Sequence, residues 1–441
     1  MTLTEASFWT KRFGIIIGVV VLVLVIILLL IFYKPSSSLP QEYLTADYGC
    51  TEKKEDFIKS KLDIPSLPKG NAESVFEINT DTGKINSLPN IVNVYKFENS
   101  TQSLMARENA RILAGKMGFE KEKDTRIGTE YYKWSDPVSK KTLTVEVKNM
   151  NFVLETDITY LRKLSATGSI PSDLEAGSLA TSALRSLGLI DESTDYAEAK
   201  KTYTYINIEP DGSFSKARSA SEAELVRVDF LREKPLITIS SNLVGATRMI
   251  ENMRKRLGME PKEVTKIVND KKVEFYTFNT SVVLPTSRDS NVSVYVGIED
   301  KDSKTTSTFK RIYRIEYTYW PISLDACGTY ELITPQKAME EVQNGKGSIA
   351  YLYEIGGDYV REYSPKNVKR FLVTKNISLF YYESPEEQEF LQPIYLISGE
   401  AIFEDDTKGE FDIYYPAIDY ANVQNKITLP KQPKEESKGL L

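Results

Sequence analysis

Between residues 14 and 33 the chain reads GIIIGVVVLVLVIILLLIFY, with no charged residue and no polar stripe at the helical period on any face. As a helix rising 1.5 Å per residue it is roughly 30 Å long, matching a bilayer's hydrocarbon core, so the pattern predicts a transmembrane helix. A cleaved signal peptide would have a shorter apolar region and a small-x-small site, which Lys34-Pro35-Ser36-Ser37-Ser38-Leu39-Pro40 does not offer. Lys11 and Arg12 precede the run and Lys34 alone follows it. The positive-inside rule then leaves 1–13 in the cytoplasm and carries the rest outside. The expected location is a cell membrane crossed once, with lipid around 14–33 and extracytoplasmic C-terminal domains.

Beyond the apolar run the pattern changes. Residues 34–70 are rich in Ser, Pro, Lys and Asp with little periodicity, and predict a stalk. From Val75 on, stretches such as VFEIN, IVNVYKF, TLTVEVKN, KTYTYINI and VSVYVGI alternate apolar with polar residues, as half-buried strands do. Four stretches switch to period 3.6. In 103–117 the stripe is Ala106, Ala110, Leu113, Ala114 and Met117; after the capping box Ser172-Asp173-Leu174-Glu175 it is Leu179, Ala180, Ala183, Leu184 and Leu187. A third helix is expected over 243–257, and a fourth begins at Thr334 and Pro335 and stops at Gly345. Met117-Gly118-Phe119, Leu187-Gly188-Leu189 and Leu257-Gly258-Met259 recur at a spacing of about 70 residues, which suggests duplicated modules. The same phrase is also a common helix ending, and both readings stand at this point. The expected fold class is α+β: a single N-terminal transmembrane helix followed by tandem ectodomain modules with helices packed on antiparallel sheets. The expected divisions are 71–235 with two helix-plus-strands modules, 236–330, 331–421 and a disordered tail over 422–441.

Composition narrows the chemistry. The 441 residues carry 56 Lys and Arg against 62 Asp and Glu, a net charge of −6, with no clustered basic face for nucleic acid. Arg254-Lys255-Arg256 falls in the last turn of a predicted helix, where the dipole accounts for it. Histidine is absent, which removes Ser-His-Asp and Cys-His catalysis, His-containing zinc sites and histidine pH switching. No cofactor is expected. Cys50 and Cys327 cannot form a structural zinc site alone; outside the cell a disulfide between them is the sensible reading, and two unrelated buried thiols the other.

The C-terminal part carries ITPQKAMEEVQNGKGSIAYL (333–352), ISLFYYESPEEQEFLQPIYLISGEAIF (377–403) and YYPAI (414–418). These resemble the YycH/YycI group of membrane-anchored regulators and PepSY-like modules, and ELVRVDFLREKP (224–235) looks like a strand of that group. The resemblance covers a minority of the chain and contains no catalytic motif. It implies a one-pass protein whose outer domains bind something and whose anchor contacts a partner's transmembrane helix, as that group restrains a histidine kinase.

The remaining candidates are weaker. Glu386-Glu387 and Glu404-Asp405-Asp406 could supply the two acids of a glycoside hydrolase, though acidic turns are ordinarily solvated surface. Gly345-Lys346-Gly347-Ser348 lacks the spacing of a phosphate loop and reads as a helix stop. Among 26 tyrosines, Tyr317, Tyr319, Tyr381, Tyr382, Tyr414 and Tyr415, with Trp320, are candidate interface aromatics; a place in the core or across strands is the commoner use of such residues. The sequence thus predicts a non-enzymatic binding or regulatory protein working through a membrane partner. A structural or peptide-binding scaffold of the envelope is the alternative, and a carboxylate-dependent envelope hydrolase the second.

Overall fold

The alternating stretches in the middle of the chain assemble into one nine-stranded sheet. Its order is Thr125–Ile127, Tyr131–Asp136, Lys141–Glu146, Phe152–Thr156, Ile312–Tyr317, Val292–Val296, Leu225–Leu231, Lys200–Ile208 and Phe214–Lys216, antiparallel throughout. Strict alternation fixes which face turns inward: Leu143, Val145, Phe152 and Leu154 are buried while the residues between them within each strand are not. On that face lie the helices Ala106–Lys116 and Asp173–Leu187, both presenting alanine-rich stripes. Small side chains bring the second helix close: a Cβ on Gly177 would sit 2.5 Å from the Tyr203 hydroxyl. Ser172 caps that helix through the Glu175 amide, and Gly188, at φ +80°, ends it.

The second sheet has eleven strands and a separate core. Its longest strand, Phe390–Phe403, pairs with Val368–Val373, Ser378–Tyr382, Lys408–Pro416 and Ile91–Lys96 along its length. Val75–Ile78, Glu233–Ser240, Pro261–Val268, Lys271–Val283, Gly328–Glu331 and Ser348–Glu354 complete it, and the helices Ala246–Arg256 and Pro335–Gln343 pack on it. The structure is a computed structural model, describing residues 46–426 apart from 71–73, 99–102, 166–168, 191–194, 197–198, 242–244, 269–270, 302–304 and residues 257, 306 and 324.

The expected fold class is overturned. Of the described residues 38 % are strand and 18 % helix, so the molecule is mostly β, built on two large sheets with few helices. The repeated helix-ending phrase misled because its first two helices share one sheet instead of heading separate modules. The predicted span 14–33 and the tail 1–13 lie outside the described residues. Among the described residues no helix is long and apolar enough to cross a membrane, so the single-pass membrane location, with its extracytoplasmic C-terminal domains, is not carried forward. The described part of the expected stalk, 46–70, is folded: Lys54–Lys59 is a short helix, Phe57 is fully buried, and 61–70 runs extended over the second sheet. Its apolar residues dock singly, which leaves no periodicity to read. In the expected tail, Val423 is buried and Asn425 accepts a hydrogen bond from the Lys54 amide; 427–441 lie outside the described residues.

Candidate functional site

A groove of about 600 Å³ opens at the edge of the eleven-stranded sheet, where an extended segment, a helix and a strand end meet. One wall is the extended segment 61–64. It is held by Ser348 Oγ donating to Ile64 O (2.8 Å), by Leu67 N donating to Ile349 O (2.8 Å), and by Gln392 Nε2 donating to Ser60 O (2.6 Å). Pro65 and Pro68 favour the extended conformation of this strap. The other wall is the helix Pro335–Gln343. Thr334 caps it by accepting from the Lys337 amide (3.2 Å), Pro335 occupies its first turn, and its buried residues Ala338, Met339 and Val342 turn inward. Lys337 is thereby left exposed at the groove. The floor is Tyr415 and Pro416 at the end of the strand Lys408–Pro416, continued by Ile418, Asp419 and Tyr420.

The groove carries charges of both signs. Lys61, Lys337 and Lys346 line it together with Asp63 and Asp419. Lys346 pairs with Glu341, which raises its pKa. The Lys61 ammonium lies 5.3 Å from the centre of the Tyr420 ring. The Tyr420 hydroxyl donates to Gln392 Oε1 (2.7 Å) and accepts from the Leu62 amide (3.3 Å), so it pins strap to floor. Burial pushes the phenols of Tyr415 and Tyr420 up, away from ionisation. The groove therefore offers ammonium donors, carboxylate acceptors and aromatic faces. None of the described residues lining it pairs a nucleophile with a base.

Of the residues singled out from sequence, Cys50 and Cys327 form a disulfide, with Cα atoms 4.5 Å apart, which ties the N-terminal segment to the strand Gly328–Glu331. Tyr317, Trp320, Tyr381, Tyr382 and Tyr414 are buried and cannot serve as an open interface. Tyr317 stacks on Phe152 at 5.3 Å, and Tyr381 donates to Asn93 O at 2.6 Å. Tyr319 is half-buried beneath the Arg232 guanidinium, 5.0 Å away. Of the candidate aromatics only Tyr415 reaches the groove, and of the run Gly345-Lys346-Gly347-Ser348, Lys346 and Ser348 line it as well.

The acidic clusters are engaged in turns and ion pairs: Glu387 with Lys148, Glu404 with Asn367, Asp405 with Thr407, and Asp406 with Lys369. None of them lines the groove. Arg254 pairs with Glu260 and Glu263, and Lys255 with Glu251. Sequence reasoning missed Lys61, Asp63, Lys337 and Tyr420. The helix start at Thr334 was visible, but nothing local announces that a strap some 270 residues upstream faces it. No protein-family model matches the chain, and no curated protein matches it.

Proposed function

We propose that this protein is a non-catalytic binding module that takes an extended peptide of mixed charge in the groove between 61–64 and the helix Pro335–Gln343. The observation that carries the reading is the groove itself: about 600 Å³, open to solvent, with lysines on both walls, two carboxylates, and the half-buried rings of Tyr415 and Tyr420 in its floor. Such rings give large contact area at small loss of side-chain freedom, and flanking charges of both signs select a ligand with backbone and side chains of both kinds. A regulatory role is the natural use of such a module, since it holds a ligand without altering it.

The test is fluorescence anisotropy with dye-labelled heptapeptides containing Glu, Lys and Tyr, using the full chain. Tyr415→Ala together with Lys337→Glu should weaken binding by about tenfold or more, the loss of one aromatic anchor and a reversed charge. Unchanged affinity in this variant, or cleavage of the bound peptide, would overturn the reading.

A further inference from the structure

The nine-stranded sheet has a second face. The alanine-striped helices cover Val226, Val228, Val294 and Ile315 on one side, and alternation turns Arg227, Tyr295 and Arg314 to the other. Register sets these three directly opposite one another on adjacent strands, with Thr204 beyond Arg227. Over the row opens a cavity of about 730 Å³ lined by Phe214, Arg227, Tyr295, Val360 and Arg361. Val360 and Arg361 come from the other sheet, in the connection 355–367 between Ser348–Glu354 and Val368–Val373. That connection is anchored here by the Lys216 amide donating to Asp358 Oδ1 (2.9 Å) and by a hydrogen bond between the Thr204 and Tyr359 hydroxyls (3.0 Å).

Two donors in the floor lack the partners that burial ordinarily demands. The Arg227 side chain is 9 % exposed; its Nε donates to Asp229 (2.8 Å) and its Nη2 to Arg288 O (3.1 Å), while Nη1 has no acceptor among the described residues. Tyr295 is 5 % exposed, and its hydroxyl likewise has no partner among the described residues. Neither atom is sealed from solvent, so both open on the cavity that their side chains line. A buried donor is costly unless an outside oxygen accepts from it, and a carboxylate brings two such oxygens to two donors. Beside them Phe214 stacks on Tyr295, ring centres 5.5 Å apart, and begins an apolar wall that Pro210 and Val360 continue. The rim is acidic: Glu209, Asp211 and Glu362 stand against Arg361, which Glu209 already holds in an ion pair. A plain anion would be repelled there, and a plain cation would leave the floor donors unfilled.

We propose that this cavity binds a small zwitterion with an aromatic group: an aromatic α-amino acid, free or at the C-terminus of a short peptide. Its carboxylate accepts from Arg227 Nη1 and Tyr295 OH, its ring lies against Phe214, and its ammonium faces Glu362, an exposed carboxylate with no ion pair among the described residues. The volume is that of an ordinary small-molecule site. Because the walls come from both sheets, an occupied cavity ties one to the other.

Isothermal titration calorimetry on the full chain tests this with L-phenylalanine, the dipeptide Gly-Phe, 3-phenylpropionate and phenethylamine. One of the two zwitterions should bind about tenfold or more tighter than either singly charged analogue, and which one does so tells the free amino acid from the peptide end. Tyr295→Phe keeps the ring stack and removes a hydroxyl that bonds to no described residue. It should leave the melting temperature unchanged and weaken the zwitterion about tenfold. Glu362→Gln should weaken the zwitterion and phenethylamine but not 3-phenylpropionate. Binding of 3-phenylpropionate as tight as the zwitterions overturns the role of the rim, unchanged affinity in Tyr295→Phe overturns the placement of the carboxylate, and no heat from any of the four overturns the site. Tyr415→Ala, in the groove on the other sheet, should change none of these affinities; a loss there would move the binding to the groove and overturn the proposal.

Discussion

The nine-stranded sheet is drawn from two runs of chain, 125–231 and 292–317, and every neighbouring pair in it is antiparallel. The eleven-stranded sheet is gathered from three runs, 75–96, 233–283 and 328–416, and contains parallel pairs, Val75–Ile78 with Val368–Val373 and Val282-Val283 with Tyr381-Tyr382. Mostly short connections set the register of the first, so alternation and alanine stripes suffice to build it. The second depends on ties between distant residues: the Cys50–Cys327 disulfide, 277 residues apart, and the strap over Ser348–Glu354. Its groove arises where such remote segments meet, and the ligand-sized space and the long-range ties share a cause.

The chain passes between the sheets after Lys96, at Arg232, after Val283 and after Tyr317. Arg232, itself one of these crossings, bonds to the last of them and to both sheets' surroundings. Its Nη1 donates to both Glu383 carboxylate oxygens at 2.9 Å, its Nε to Asp195 at 2.8 Å, and its Nη2 to Trp320 O at 2.9 Å, with the side chain 2 % exposed. Its backbone carbonyl accepts from the Val282 amide. Burial opposes the guanidinium's charge, but Glu383 and Asp195 outweigh it and raise its pKa; burial pushes the Glu383 carboxyl up against the pull of Arg232. Arg232→Met leaves Glu383 buried without its cation and should cost about 3–5 kcal/mol. Urea unfolding should then separate into two transitions, one per sheet, and Glu383→Leu in the same chain should recover at least half of the loss. A cost under about 1 kcal/mol would show that the sheets are joined by something other than this cluster.

A second, smaller effect belongs to the nine-stranded sheet alone. Lys141 is buried, donates to Phe309 O at 2.7 Å, and lies 5.6 Å from the Tyr313 ring centre. Burial pushes its pKa down to about 8, with Asp300 and Asp136 pulling partway back. Below that pH both folded and unfolded chains hold the proton. Between about 8 and 10.4 the unfolded lysine keeps it and the folded one does not, so stability rises with pH by about 3 kcal/mol across that window. Above about pH 10 the trend reverses, because Tyr295, raised to about 12 by burial, keeps a proton that the unfolded chain loses. Hydrogen exchange across this range should show the rise in the nine-stranded sheet and not in the other. Lys141→Met should flatten it; a rise that survives the substitution assigns it to another group.

How far the sequence could be read follows the same division. The buried faces of Lys141–Glu146 and Phe152–Thr156, and the cap and stop of Asp173–Leu187, were plain from residue spacing because local geometry decides them. Tyr381, Tyr382 and Tyr414 were visible only as tyrosines on strands, since which face turns inward depends on strands far away in the chain. Of the groove, only Tyr415, Lys346 and Ser348 were singled out, the last two as part of a helix stop. Its strap has no period to detect, and its second wall becomes a wall only once Ser348 holds Ile64.

The smallest effect tests the same division from the surface. Lys148, in the turn before Phe152–Thr156, pairs with Glu387, in the loop after Ser378–Tyr382, so this ion pair also joins the two sheets. Its side chains are 47 % and 45 % exposed, which leaves the charges largely hydrated and screened by salt. Coupling measured by a double-mutant cycle of Lys148→Ala and Glu387→Ala should be below about 1 kcal/mol and should fade between 0.05 and about 0.5 M salt. The cycle of Arg232→Met with Glu383→Leu should be several times larger and nearly independent of salt, because its partners are desolvated. Equal coupling in the two cycles, or equal salt dependence, would mean that the sheets are held across their whole contact and that Arg232 has no special place in joining them.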